Sequence, residues 1–167
     1  MLFLLDTNVL IDAARDYYPL EMVPEFWDWL VYQGTIGNIK MPLEIYEEGC
    51  DGNDQLAAWL RSSVVKAALV LAEEVRPDTV SYVVINGYAP DLTDADIITM
   101  GRDPFLIAYG LADVIGRCIV TTESSRPTRR RANRHVPDVC SGFGLACCNT
   151  FEMTRRLGFR TSWKLPS

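Results

Sequence analysis

The sequence is poorest in histidine. His135 is the only one in 167 residues, so a metal-free nuclease that passes protons between two histidines is excluded. Cysteine is sparse and badly spaced for a metal: positions 50, 118, 140, 147 and 148 contain no pair with the separation of a zinc knuckle. Cys118, Cys147 and Cys148 lie in apolar runs and are expected as buried reduced thiols, which fits a reducing compartment. Long hydrophobic runs are also missing. Charges interrupt every apolar stretch well short of the roughly 20 residues a spanning helix needs. The Met1 end lacks the basic flank and small-residue cleavage site of a signal peptide. The expectation is a soluble, cytoplasmic protein without a membrane role. Positive charge is in deficit, with 16 Lys and Arg against 22 Asp and Glu and a net charge of −6. That argues against broad nonspecific binding to nucleic acid, although a site built from several acids would itself supply much of the deficit.

What remains is ordinary globular material, 49% apolar and 23% charged, enough for a real core in one domain. No repeat, low-complexity segment or linker divides it, so residues 1–167 are expected as a single domain with its core over about 2–159. Phe3-Leu4-Leu5 is a short, continuous apolar run, as in a strand buried on both faces. Further strands are expected at 36–41, 118–120 and 145–148. Helices are expected over Val9–Arg15, from Pro24, from Pro42 to about Gly49, and after Asp54 with Leu56, Trp59, Leu60 and Val64 on one face. Residues 64–75 read as helix or strand, their length favouring helix, and further helices are expected from Pro77 to about Tyr88, over Asp94–Met100, from Asp103, from Pro137 and over Thr150–Leu157, before a polar tail. Strands alternating with helices imply right-handed crossovers and a mostly parallel twisted sheet in a three-layer α/β/α arrangement. The aromatics Phe26, Trp27 and Trp29 are a base-stacking platform or, better, the core face of a helix.

The first strand ends on one acid, in Leu5-Asp6-Thr7-Asn8. Alone, Asp6 reads as a helix cap. Asp103 before Pro104 reads the same way. Glu123 directly follows the 118–120 strand, and Glu48 lies on the helix after the second strand, with Glu44 and Glu47 as competitors. In open sheets of this kind ligands bind beyond the carboxyl ends of the strands. Acids gathered there repel one another unless cations lie between them, and hard divalent ions take oxygen ligands. Asp6, Glu48, Asp103 and Glu123 are therefore the candidate metal ligands and catalytic residues, and the cap role passes to Thr7 or Asn8. Asn8 and Thr121 are candidate supports for those ligands. Arg126, Arg129, Arg130, Arg131 and Arg134 follow Glu123 closely. They read as a patch that holds RNA phosphates, as a solvated loop or as a protein contact. His135, in the same loop, is expected to be solvated.

These residues resemble the PIN-like nucleases. The resemblance rests on Leu5-Asp6-Thr7-Asn8, the helical Glu48, Asp103-Pro104 with Leu106-Ile107-Ala108, and Val120-Thr121-x-Glu123. It is narrower for a bacterial PIN-like subfamily related to VapC-type toxins, through Tyr17-Tyr18-Pro19, Phe26-Trp27-Asp28-Trp29-Leu30, Gly52-Asn53-Asp54-x-Leu56 with Trp59, and Val136-Pro137-Asp138-Val139-Cys140. It covers about residues 2–159 and is weakest over 62–100. It implies a three-layer α/β/α domain that hydrolyses RNA phosphodiester bonds with Mg2+ or Mn2+, leaving a 5′-phosphate and a 3′-hydroxyl. It further implies a toxin paired with an antitoxin protein and often a homodimer. It selects Glu48 over Glu44, and it departs from many relatives in having Glu123 where they have Asp. Asp138 belongs to the subfamily signature and reads equally as a helix-opening turn or a site residue. Two rivals remain. One is a haloacid-dehalogenase-like phosphatase with Asp6 as nucleophile, although Asn8 stands where that chemistry needs a second Asp. The other is a non-catalytic PIN-like domain that binds nucleic acid or protein.

Overall fold

The structure, a computed structural model, describes residues 1–164. The end of the expected polar tail, residues 165–167, lies outside them. The first strand, β1 (Leu2–Leu5), is paired on both sides. It runs parallel to β2 (Ile39–Lys40), with Phe3 opposite Ile39. It is also parallel to β3 (Arg117–Val120), with Leu5 opposite Val120. β3 in turn pairs in parallel with β4 (Ala146–Cys148), giving the order β2-β1-β3-β4. A central strand must be apolar on both faces, and Phe3, Leu4 and Leu5 are all buried.

Ten α-helices complete a three-layer α/β/α fold around this sheet among the described residues: α1 (Thr7–Asp12), α2 (Pro24–Thr35), α3 (Leu43–Cys50), α4 (Gln55–Leu60), α5 (Ser63–Leu69), α6 (Pro77–Val83), α7 (Asp94–Met100), α8 (Asp103–Leu111), α9 (Val136–Gly142) and α10 (Thr150–Arg156). The local chemistry explains several of their starts. Pro lies in the first turn of α2, α6, α8 and α9, where its missing N–H costs nothing. Asp54 and Asn149 cap α4 and α10, and Thr93 forms a capping box with Asp96 at α7. No helix of the described residues is long and apolar enough to cross a membrane.

Three sequence expectations need correction. β2 is shorter than 36–41 because α2 runs on to Thr35 and Gly37 turns the chain at φ 82°, a backbone region open to glycine. Met41 instead bridges to Val70, its amide donating to the Leu69 carbonyl at 2.7 Å. Leu56 and Leu60 do share a buried face, but the helix breaks at Arg61-Ser62 and α5 leaves Val64 65% exposed. The expected helix over 64–75 ends at Leu69. The aromatic segment is core, the reading the sequence favoured. Phe26, Trp27 and Trp29 are buried, Tyr18 stacks on Phe26 at 4.2 Å, and Trp27 Nε1 donates to the Tyr18 carbonyl at 2.7 Å.

Strand order reverses direction between β1 and β3. The chain goes from β1 outward to β2, then returns to the other side of β1 for β3. The crevice at such a switch point, beyond the carboxyl ends of the two strands, is where open α/β sheets bind ligands. Asp6 leaves β1 and Thr121 leaves β3 at that crevice, and the Asp6 amide donates to the Val120 carbonyl at 2.9 Å.

Candidate functional site

Asp6 occupies the N-cap position of α1 in an extended conformation, yet its side chain makes no capping bond. The expectation that Thr7 or Asn8 takes the cap position is therefore corrected: Thr7 is the first helical residue. The Asp6 carboxylate is turned to the crevice instead. Thr121 Oγ1 donates to Asp6 Oδ2 at 2.8 Å, while the same oxygen accepts from Asn8 Nδ2 at 3.2 Å and from the Glu123 amide at 3.2 Å. Asn8 Oδ1 accepts from the Thr122 amide at 3.1 Å. Asn8 and Thr121 thus lace the ends of β1 and β3 together, with the Thr121 hydroxyl on Asp6. Asp6 is only 7% exposed. Burial pushes its pKa up to about 6, against the Thr121 hydrogen bond and the nearby Asn8 amide, and the charges of Glu123 and Glu48 push it further.

Glu48 reaches the same place from α3. Thr7 Oγ1 donates to Glu48 Oε2 at 3.0 Å and to the Ile45 carbonyl at 2.9 Å, so the residue next to Asp6 sets the neighbouring acid. Nothing in the sequence reading singled out Thr7 for this, although a small hydroxyl directly after a strand-end acid is the available signal. Glu44, the competitor, acts elsewhere: burial and then the Glu44 charge push the Tyr109 hydroxyl up to about 12. Arg102 donates to the Glu44 carbonyl and lies 3.8 Å from Glu47, which ties α3 to the start of α8.

Asp103 is the first residue of α8 and makes no capping bond either. Burial, then the charges of Asp6, Glu123 and Glu48, push its pKa up to about 8. Glu123 is half-buried, and its Oε2 accepts from the Val136 amide at 2.7 Å at the start of α9. Glu48 and Glu123 are therefore both within electrostatic reach of Asp6 and of Asp103. A further buried polar atom adjoins them. The Tyr88 hydroxyl has no hydrogen-bond partner among the described residues, and burial followed by the Asp103 charge raises its pKa.

Among the described residues, no group of three or more His, Cys, Asp or Glu side chains is placed to hold a metal ion. The donor set nevertheless fits a hard divalent ion. Such ions, magnesium above all, take one or two carboxylates and keep several waters. Here the buried Asp6 carboxyl and the half-buried Asp103 carboxyl are held well above their ordinary pKa by burial and by the charges of neighbouring acids. Neither Lys nor Arg pairs with Asp6, Glu48, Asp103 or Glu123 among the described residues.

Beside Glu123 opens a cleft of about 610 Å³, lined among others by Thr122, Ser124, Ser125, Cys147 and Asn149. Cys147 is thus half-buried at a cleft wall, not in the core, whereas Cys118 and Cys148 are buried as expected, with their sulfurs 3.6 Å apart. The basic loop divides. Arg131 pairs with Asp91 at 2.6 Å and Asp96 at 3.3 Å, and Arg134 donates to the Gly87 and Asp138 carbonyls. Both are tied to partners within the chain, which none of the three readings of the loop foresaw. Arg126, Arg129 and Arg130 are exposed on the surface that follows Glu123. His135 is partly exposed, and its Nδ1 bonds the Ser124 carbonyl at 2.9 Å.

No curated protein and no solved structure matches the chain. A family model described as Domain of unknown function (DUF4411) matches residues 3–161, and the chain belongs to that family.

Proposed function

We propose that the protein is a divalent-metal-dependent endoribonuclease. The observation that carries this reading is the meeting of Asp6, Glu48, Asp103 and Glu123 at the switch point of the sheet without a compensating cation. Mg2+ or Mn2+ bound there supplies neutralisation of the phosphate charge and a nucleophile at neutral pH. The chain's own groups do the rest. Asp6 and Asp103 are the innermost ligands, and Glu48 and Glu123 close the site from α3 and from the loop after β3. Thr121 and Thr7 aim the Asp6 and Glu48 carboxylates by hydrogen bonds, the support that ligating carboxylates need. Arg126, Arg129 and Arg130 face the backbone of an approaching RNA, and the cleft beside Glu123 receives a nucleoside flanking the cut. The resemblance in sequence supports placing the enzyme as the toxin of a toxin–antitoxin pair, silenced by a partner protein that covers the acids.

The test is cleavage of a mixed RNA pool with manganese, with EDTA, and by Asp6→Asn. Cleavage by the wild type with manganese alone is expected. Equal cleavage by Asp6→Asn, or cleavage undiminished by EDTA, rejects the reading.

A further inference from the structure

The loop that leaves Glu123 is held from one short stretch of chain. Asp138 stands in the first turn of α9. Its Oδ1 accepts from Ser125 Oγ at 2.5 Å and its Oδ2 from the Arg126 amide at 2.7 Å. Two residues earlier, the Val136 amide donates to Glu123 Oε2 at 2.7 Å, and His135 Nδ1 bonds the Ser124 carbonyl at 2.9 Å. Arg134 Nη2 closes the set on the Asp138 carbonyl at 2.9 Å. Every residue from Glu123 to Arg126 is therefore tied to a residue between 135 and 138.

Asp138 is not itself one of the gathered acids. The carboxylate charges acting on Asp6 and Asp103 are those of Glu123, Glu48 and, on Asp103, Asp6. Asp138 faces the other way, into the loop. Burial opposes its charge, but the Ser125 hydroxyl, the Arg126 amide and the His135 and Arg134 charges outweigh this and hold its carboxyl below the ordinary value.

We propose that Asp138 is a positioning residue for the acid site: by clamping Ser125 and Arg126 it keeps the Glu123 carboxylate on the Val136 amide and presents Arg126 beside it. This rests on the metal-nuclease reading. The physical reason is local. Residues 121–130 contain no helix or strand, so nothing regular restrains Glu123 from the C-terminal side. Its anchor, the Val136 amide, comes from α9, and the loop must stay on α9 for that bond to persist. Ser125 and Pro137 both line the cleft, so the clamp also sets one wall of it.

Two substitutions separate positioning from ligation. Asp138→Asn keeps both contacts: its oxygen accepts from the Arg126 amide, and its NH2 donates to a Ser125 hydroxyl turned to accept. Asp138→Ala keeps neither. Manganese affinity of the full chain is measured by titration calorimetry, and amide exchange at Arg126 by NMR. Loss of a group that orients ligands typically costs 10–100-fold in metal affinity. Asp138→Ala is expected to weaken manganese binding about 10-fold and to speed exchange at Arg126 by a similar factor, while cooperative unfolding persists. Asp138→Asn is expected within about twofold of wild type, since it removes the charge and leaves the bonds. Wild-type exchange and affinity in Asp138→Ala overturn the clamp. Equal loss in both variants overturns positioning in favour of direct ligation. If the wild type itself takes up no manganese, the metal reading fails, and exchange at Arg126 alone then decides the clamp.

Discussion

On the proposed metal-nuclease reading, function and stability oppose each other at Asp103, and replacing it with asparagine isolates the conflict. Its carboxyl rises from 3.8 to about 8 on folding, through burial first and then the Asp6, Glu123 and Glu48 charges. The folded state therefore holds a proton that the unfolded state releases anywhere between those values, so this group's contribution is fully present below pH 3.8 and is lost as pH rises through about 8. At about 1.4 kcal/mol per unit, the whole shift is an upper limit near ~6 kcal/mol at pH 8. Relaxation and a shared proton with Asp6 reduce it, and roughly 2–3 kcal/mol is the expected strain. Asp103→Asn imitates the protonated form and adds an NH2 that faces the neighbouring acids. In EDTA at pH 8 it should melt about 5–10 °C above wild type, using ~2–4 °C per kcal/mol for a chain of this size. At pH 5 the gain should shrink to a fraction of that. Manganese should stabilise wild type at pH 8, by about 2.7 kcal/mol at a hundredfold excess over Kd, and should do little for Asp103→Asn. Thermal unfolding followed by circular dichroism reads all four conditions. An Asp103→Asn protein no more stable than wild type in EDTA at pH 8 would refute the claim of a strained, uncompensated acid cluster.

Thr121→Val removes the hydrogen bond that favours ionised Asp6, so the acid limb of the pH–rate profile should move upward from about 6; an unmoved limb shows that Thr121 does not tune Asp6. Arg129→Ala with Arg130→Ala should weaken binding of single-stranded RNA and lower its salt slope by up to ~0.7 per lost phosphate contact. Arg131→Ala should instead loosen the Asp91–Asp96 anchor and lower the melting temperature. The reverse pattern, from binding isotherms and melts, contradicts the division of the loop. Gly34→Ala should cost about 1–3 kcal/mol by overpacking, because a Cβ there meets the Ala68 carbonyl oxygen at 2.7 Å; urea unfolding measures it.

Much of the architecture is readable from the chain, for identifiable reasons. β1, β3 and β4 are apolar runs ended by polar turns, and the Pro-led helices announce their own starts. The acids at strand ends follow from that layout, because parallel strands deliver their carboxyl ends to one edge. What escapes reading depends on contacts distant in sequence. β2 contracts to Ile39–Lys40 because the Val70 segment, supplied by a later helix end, pairs with Met41. The break at Ser62 turns Val64 outward although its spacing suits the Leu56–Leu60 face. Five clustered arginines look alike in a sequence, and only Asp91, Asp96 and the Gly87 carbonyl, from 35 or more residues earlier, distinguish Arg131 and Arg134 as anchors. Asp138 resisted interpretation for the same reason: its partners are a hydroxyl and a backbone amide in a loop without regular structure. Glu48 parts from Glu44 in the sequence only by resemblance, and in the structure by the Thr7 hydroxyl bonded to it and by its charge acting on Asp6 and Asp103.

The central claim is that Asp6, Glu48, Asp103 and Glu123 hold divalent metal between them. Its most direct measurement is the anomalous difference density of crystals soaked in manganese. The account expects a peak in contact with Asp6 and Asp103, at the carboxyl ends of β1 and β3, that disappears in Asp6→Asn crystals soaked identically. Manganese density elsewhere on the molecule with none among these acids, or a peak that survives Asp6→Asn unchanged, would contradict it.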